Sequence, residues 1–368
     1  MDQQVPSIVF RCDGSFEGGL GHLARCTMLA RELNSTGCAF IIRPDPAAED
    51  FLRVGKVDFH ILPGPYCPER IEAAFVAEIA RRAGARIVIV DKKDNGAGFV
   101  KALKRAGLFV VDIEDRGDGR NWADILIDPH IRPGSSEEKN YTGSAFCGFG
   151  PGWVLLDPVY ARLRHRSGNN KPASHQLTEV TVSCGHSDPA RLTSRVAGVL
   201  AGHLGKTNGK EKSTRVNLVT GAAARGTLEN CPLKNARILE GPDSLARCLQ
   251  RSGLAIVSGG ITMFESMCLG LPVIVVPQHA EQAINAGKFA ARGALLAAPL
   301  PEQGDFSGQL SELIGRVLAE RKLREQLSSA ALALVDGHGT SRFLKTLLSE
   351  AGLITWKKTE TPGKEKFA

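Results

Sequence analysis

The sequence predicts an α/β protein built from two units, each a parallel sheet with helices on both faces, set across a cleft. Three observations predict it. Short apolar runs alternate with segments of helical spacing along most of the chain, the pattern of strands buried on both faces and of the helices that cover them. A polar stretch, Arg164 to Gln176 (RHRSGNNKPASHQ), breaks the alternation near the middle and reads as a linker. The length of 368 residues exceeds what one core comfortably holds, which favours two units. The expected organisation is a Rossmann-like unit over 1–164, a linker over 165–176, a second Rossmann-like unit over 177–352, and a solvated tail over 353–368.

In the first half, Ile8 to Cys12 is an apolar strand, and Leu23, Cys26, Leu29, Ala30 and Leu33 give a helix over Gly21 to Leu33. Strands follow at Ala39–Ile42, Val57–Leu62, Ile87–Val90, Leu108–Ile113 and Ile125–Ile127, separated by helices at Ala47–Val54, Arg70–Ala83 and Phe99–Ala106. After the linker the alternation restarts with strands at Glu179–Cys184, Val216–Val219 and Arg237–Leu239, and helices from Asp188 and over Asp243–Arg251. Helices near Ser307–Leu327 and Thr340–Ala351 close the fold. Ligands of open parallel sheets sit beyond the carboxyl ends of the strands. The loops after Cys12, Asp91, Asp112, Cys184, Ser258 and Pro277 should therefore line the cleft.

The most informative stretch is Leu254 to Gly287, LAIVSGGITMFESMCLGLPVIVVPQHAEQAINAG. A buried strand, Leu254–Val257, runs through Ser258 into Gly259 and Gly260, then into a helix over Ile261–Leu269 that Gly270 stops; Pro272 opens the strand Val273–Val276. A helix that starts after a glycine turn presents free backbone N–H groups and a positive dipole end, a place suited to a diphosphate. The backbone of Gly259, Gly260, Ile261 and Thr262 would supply it. Glu265, one turn in, can accept two hydrogen bonds from a vicinal diol such as a ribose. Gln282 and Asn285, three apart on the next helix, face the same crevice.

At the other end, the loop Arg11-Cys-Asp-Gly-Ser-Phe-Glu-Gly-Gly-Leu-Gly-His brings His22 to the start of a helix directly after Gly21. The positive helix end should lower its pKa and keep it neutral as a base; a histidine there could equally cap the helix. The glycines favour the functional reading, because they let a ligand approach closely. Gly19-x-Gly21-x-x-Ala24 also matches a dinucleotide fingerprint, with Arg43 placed for a 2′-phosphate. That motif follows its strand directly, whereas Asp13 to Gly18 intervene here, so the dehydrogenase reading ranks behind.

Composition narrows the class. A hydrophobic content of 43% with 23% charged residues suffices for two cores. The net charge of +7 suits an anionic small substrate. Only 6% of residues are aromatic and no arginine-rich block is interleaved with them, which argues against nucleic acid. Nine cysteines, an odd number without a C-x-x-C pair, suggest a reduced compartment and no zinc site. No run approaches a membrane span and the start MDQQVPS lacks a basic-then-apolar leader, so a cytosolic protein is expected. Oligomeric state is open, with a monomer favoured.

The stretch around Gly259 resembles the nucleotide-binding half of the MurG-like UDP-sugar enzymes: Gly259, Gly260, Thr262, Glu265, Gly270-Leu271-Pro272 and Gln282-Ala-Ile-Asn285-Ala286 stand in the order of their pattern. Over roughly Ile8 to Leu348 the chain is similar to the PseG/SpsG family, the UDP-trideoxydiacetamido-altrose hydrolases of pseudaminic acid synthesis and their spore-coat-polysaccharide relatives. The residues that carry this are Arg11-Cys-Asp13, Gly19-Leu-Gly21-His22, Arg25-Cys26, Asp112-Ile-Glu-Asp115-Arg116, Asp124-Ile-Leu-Ile-Asp128-Pro, Tyr160-Ala161-Arg-Leu163-Arg164 and Gly185-His186-Ser187-Asp188. The resemblance implies a GT-B fold and inverting hydrolysis at the sugar's anomeric carbon, with UDP leaving and no metal or other cofactor. His22 would be the base, and Asp13 would hold the imidazole or a sugar hydroxyl, or simply cap the turn. Arg11, Gly19, Gly21, Asp91, Lys93, Gly185, His186 and Ser187 would line the substrate. The chain departs from the family where Val-Asp-His-Tyr becomes Val90-Asp91-Lys92-Lys93 and where Gly-Gly-Ser-Asp becomes Gly185-His186-Ser187-Asp188. A glycosyltransferase using the same donor site is the first alternative; a nucleotide-sugar binding protein without turnover is the second.

Overall fold

The structure is a computed structural model that describes residues 7–34, 37–131, 146–166, 177–204, 214–229, 231–233 and 236–353. The expected linker at 165–176 and tail at 353–368 lie almost wholly outside the described residues. Two sheets organise the chain, and every strand pair in them is parallel. The first comprises β1 (Ile8–Cys12), β2 (Cys38–Ile42), β3 (Phe59–Ile61), β4 (Ile87–Asp91), β5 (Phe109–Ile113), β6 (Ile125–Asp128) and β7 (Phe146–Phe149), in the order β3-β2-β1-β4-β5-β6-β7. The second comprises β8 (Glu179–Ser183), β9 (Arg215–Thr220), β10 (Arg237–Glu240), β11 (Leu254–Val257), β12 (Val273–Val275) and β13 (Leu296–Ala297), in the order β10-β9-β8-β11-β12-β13.

The helices are α1 (Gly21–Leu33), α2 (Pro46–Val54), α3 (Glu69–Arg82), α4 (Ala97–Arg105), α5 (Pro158–Arg166), α6 (Leu192–Leu204), α7 (Ala222–Arg225), α8 (Pro242–Arg251), α9 (Ile261–Cys268), α10 (Ala280–Ala290), α11 (Phe306–Ala319), α12 (Arg321–Leu334) and α13 (Gly339–Glu350). Each sheet is covered on both faces. Ile8, Phe10 and Ile89 face one apolar cluster of the first sheet, and Val9, Val88 and Val90 face the other. In the second sheet Ala255 and Val257 face one cluster, Leu254 and Ile256 the other. Burial on both faces is why these strands read as unbroken apolar runs.

Three details differ from expectation. The helix expected over Ser307–Leu327 is two helices, because Glu320 adopts an extended backbone (φ −97°, ψ 95°) between α11 and α12. The edge strands β7 and β13 were not foreseen. The expected division at residues 164–177 is also crossed in both directions. Phe343 and Leu347 of α13 pack into the core of the first sheet, while Val154, Leu156 and Tyr160 belong to the core of the second. The crossing is stitched by hydrogen bonds from the Thr340 hydroxyl to the Leu156 carbonyl (2.6 Å) and from Arg342 to the Gly152 carbonyl (2.8 Å).

Candidate functional site

Strand order reverses between β1 and β4 in the first sheet and between β8 and β11 in the second. At such points adjacent loops leave in opposite directions and open a crevice. Register places the ends together: Cys12 pairs with Asp91, and Ser183 with Val257.

At the first reversal, Asp91 ends β4 with its carboxylate fully buried. It accepts from His22 Nδ1 at 2.6 Å and from Arg25 Nε and Nη2, both at 2.8 Å. Burial alone would raise the Asp91 pKa, but the Arg25 guanidinium and the His22 contact outweigh it and hold the carboxyl well below the usual range. Arg25 Nη2 also lies 3.1 Å from His22 Nδ1, so the Nδ1 edge of the ring is taken up by Asp91 and Arg25 and Nε2 is the ring nitrogen left for a ligand. Arg25 continues the network by an ion pair to Glu114. The imidazole's partner is therefore Asp91, not Asp13.

Asp13 instead receives Arg11 Nη1 and Nη2 (2.6 and 2.9 Å) and the backbone N–H of Arg43 (3.0 Å), tying the end of β1 to the end of β2. Arg11, expected on the substrate, is fully buried, and its Nε donates to Glu72 at 2.6 Å. Its charge is consumed internally, so it holds the floor of the site and does not reach a ligand. Lys92 joins the same carboxylate at 2.9 Å. Lys93 crosses to the second half, where its Nζ lies 2.8 Å from Glu281 Oε2; Arg116 pairs with the same carboxylate. Gly19 has φ +86° and closes a small bridge with Ser15, which brings Gly21 to the head of α1.

At the second reversal, α9 starts at Gly260 without a side-chain cap, and a Cβ on Gly260 would meet nothing within 4 Å. Gly259 differs from expectation. Its N–H donates to Gln282 Oε1 (3.1 Å), which also accepts from Gln278 N–H (2.9 Å). Gln282 thus staples the β11–α9 turn to the β12–α10 turn, and the open donors of the cradle begin after Gly259. Ile261 is half-buried, while Thr262 and, on α10, Asn285 are buried.

Glu265 has the Tyr160 and Thr262 hydroxyls within hydrogen-bonding reach, and burial pushes its pKa up to about 7 against the pull of those two groups. Its Oε2 is enclosed without a partner, one of four such side-chain atoms among the described residues. A ligand hydroxyl would satisfy it. Across β8, Gly185 has φ +106°, and the exposed His186 packs on Gly221, where a Cβ would lie 2.6 Å from its Nδ1. Burial lowers the His186 pKa. Ser187 is buried, and Asp188 caps α6 by accepting from the N–H groups of Leu192 (2.8 Å) and Thr193 (2.9 Å).

No family model matches the chain. It is 25% identical over 339 residues to the spore coat polysaccharide biosynthesis protein SpsG of Bacillus subtilis, across 90% of this chain and 94% of that protein. The chain is a homologue of SpsG. Its fold is GT-B: Acinetobacter baumannii MurG superposes with a TM-score of 0.60 at 14% identity, covering 94% of this chain and 99% of that one. Phytolacca americana UGT2, solved with UDP-2fluoro-glucose and pterostilbene, gives 0.59 at 14% identity, covering 95% of this chain and all (100%) of that one.

The SpsG homologue also carries site residues that sequence reasoning passed over. Arg25 and Glu114 were quoted only as family marks, yet they extend the buried network behind His22. His130, two residues beyond β6, hydrogen-bonds Asp128 through Nδ1 (3.0 Å) and sets its ring edge-on to Phe264 of α9, with centroids 6.4 Å apart. Its only sequence signal was its place after an aspartate-ended strand. Among the described residues no group of three or more His, Cys, Asp or Glu is placed to hold a metal, and no helix is long and apolar enough to cross a membrane.

Proposed function

We propose that this SpsG homologue binds a UDP-sugar across the crevice and hydrolyses it to UDP and the free sugar with inversion, in the synthesis of a surface polysaccharide. The observation that carries this reading is the imidazole of His22, held through Nδ1 by the ionised, buried Asp91 at the reversal of the first sheet. Nε2 takes a proton from a water on the face of the sugar opposite the nucleotide, and the water oxygen bonds to the anomeric carbon. The bond from that carbon to the diphosphate oxygen breaks, and UDP leaves with the electron pair. The uncapped start of α9 absorbs the charge that grows on the diphosphate. Glu265 receives the ribose hydroxyls, which gives its orphan Oε2 a partner.

Incubation with a panel of UDP- and CMP-sugars, with and without acceptor saccharides, tests the reading. Expected are UDP and free sugar without acceptor, and loss of UDP release in His22→Ala with UDP affinity near wild type. Product only when acceptor is present would make the protein a glycosyltransferase in which His22 deprotonates a hydroxyl. UDP release that survives His22→Ala would remove His22 as the base.

A further inference from the structure

We infer that His130 is a second substrate-binding histidine, whose imidazolium takes the diphosphate of the nucleotide beside the first turn of α9. The inference rests on the UDP-sugar reading above and adds to it a cation supplied by the first half of the molecule.

Asp128 ends β6, so His130 stands on the carboxyl rim that carries His22, further along the same sheet. Its ring meets Phe264, the fourth residue of α9, across the divide between the sheets. One helical turn rises about 5.4 Å, so the open amides at the head of α9 lie about one turn away. The Asp128 carboxylate accepts both the backbone N–H of His130 (2.9 Å) and Nδ1 (3.0 Å), which locks the ring from behind. Nε2, on the opposite edge of the ring, faces away from that anchor. The side chain keeps 19% of its surface exposed, enough for a ligand to reach.

The charge state agrees with the geometry. Burial would lower the His130 pKa and Arg25 opposes protonation, but the bond to Asp128 and the charge of Glu114 outweigh them and raise it. Asp128, Glu114 and Arg25 are the charged groups that face the ring from β6, from the loop after β5 and from α1; α9 presents the uncharged Phe264. The protonated ring therefore offers Nε2–H to an anion over a wider pH range than an isolated histidine would. The carboxylates behind the ring hold its charge against the positive start of α9 ahead, and an anion set between the ring and those amides would be attracted by both.

The test uses the full chain and P1-uridyl-P2-methyl diphosphate, whose two phosphates carry no proton to lose between about pH 5 and 9. Affinity is measured by calorimetry across that range for wild type, His130→Asn and His130→Gln, with melting curves run beside them. Expected for wild type is an affinity that falls about tenfold as pH rises through the His130 titration, the size of one charge-assisted hydrogen bond. Both variants should bind about tenfold more weakly at the acid end and lose that fall, keeping only the opposite rise that ionisation of Glu265 gives. The proton resonances of the His130 ring should shift to a higher pKa when the ligand is added. Binding by the variants with the wild-type pH dependence overturns the role of His130 while leaving the nucleotide site in place. Absence of binding by all three proteins overturns the UDP-sugar reading and this inference with it.

Discussion

Asp91 is the residue on which the proposed chemistry turns, and Asp91→Asn separates its charge from its shape. The carboxylate is buried and accepts four hydrogen bonds, one from His22, two from Arg25 and a long one from the Cys26 thiol. Asparagine retains the volume but can accept with only one atom, so an N–H is turned against either Arg25 or His22. Breaking a buried ion pair costs about 3–5 kcal/mol. Arg25 keeps Glu114 as a partner, so the loss should lie near the lower end. The kinetic effect is separate. Without an anion at Nδ1 the ring is free to carry its proton on Nε2, the wrong nitrogen for a base. Loss of such a tautomer lock lowers kcat by about 10³–10⁴, or roughly 4–5.5 kcal/mol in the barrier. The assay is UDP release at saturating UDP-sugar, with urea denaturation at pH 7 and UDP calorimetry as companions. A folded Asp91→Asn protein that binds UDP and turns over within about threefold of wild type would refute the reasoning. Linkage adds a sign. The folded-state pKa is depressed below 3.8, so the stability Asp91 contributes is present above that value and is lost as pH falls further.

Glu265 should behave in the opposite sense. Its pKa is raised from 4.5 to about 7, so stability declines as pH rises through that window, and Glu265→Gln should flatten the decline in melting temperature while weakening UDP binding. Gln282→Ala removes the acceptor shared by Gly259 and Gln278 and should cost about 1–3 kcal/mol in denaturation, with a parallel loss of UDP affinity. Gly259→Ala would place a methyl 2.8 Å from the Gln282 Cβ and should destabilise by about 1–3 kcal/mol. Lys93→Ala breaks a half-exposed pair to Glu281, so denaturation should show a change of under about 1 kcal/mol that shrinks further in high salt.

What the sequence disclosed follows from what is local. Strands buried on both faces, such as Ile87–Asp91 and Leu254–Val257, show themselves as apolar runs, and the glycine turn before α9 is contiguous with its helix. The GT-B architecture follows from that alternation together with the resemblance. The edge strands stayed hidden: β13 is two residues long, and β7 is Phe-Cys-Gly-Phe, too brief for any period. Helix α5, Pro-Val-Tyr-Ala-Arg-Leu-Arg-His-Arg, is too polar to advertise itself. Wiring was the least legible part. Arg11 meets Glu72 and His22 meets Asp91 across 61 and 69 residues, and no spacing rule foretells which carboxylate a buried cation will choose. Asp13 was nearer to His22 in the chain and Asp91 nearer in space. Gln282 looked like a ligand contact because its helix faces the crevice, but a carboxamide beside an unsatisfied backbone N–H closes on it.

The return of α13 to the first sheet has a consequence for how the molecule is made. Phe343 and Leu347 complete a core whose other members, Ile8 and Phe10 among them, leave the ribosome first. From Leu155, the last described residue of that core before the second sheet begins, to Phe343 is 343 − 155 = 188 residues, about 9–38 s of synthesis at roughly 5–20 residues per second. During that interval the early sheet carries an uncovered greasy seam. Nascent chains of this protein should therefore engage holding chaperones until their last helix emerges, and release should be a late, single event.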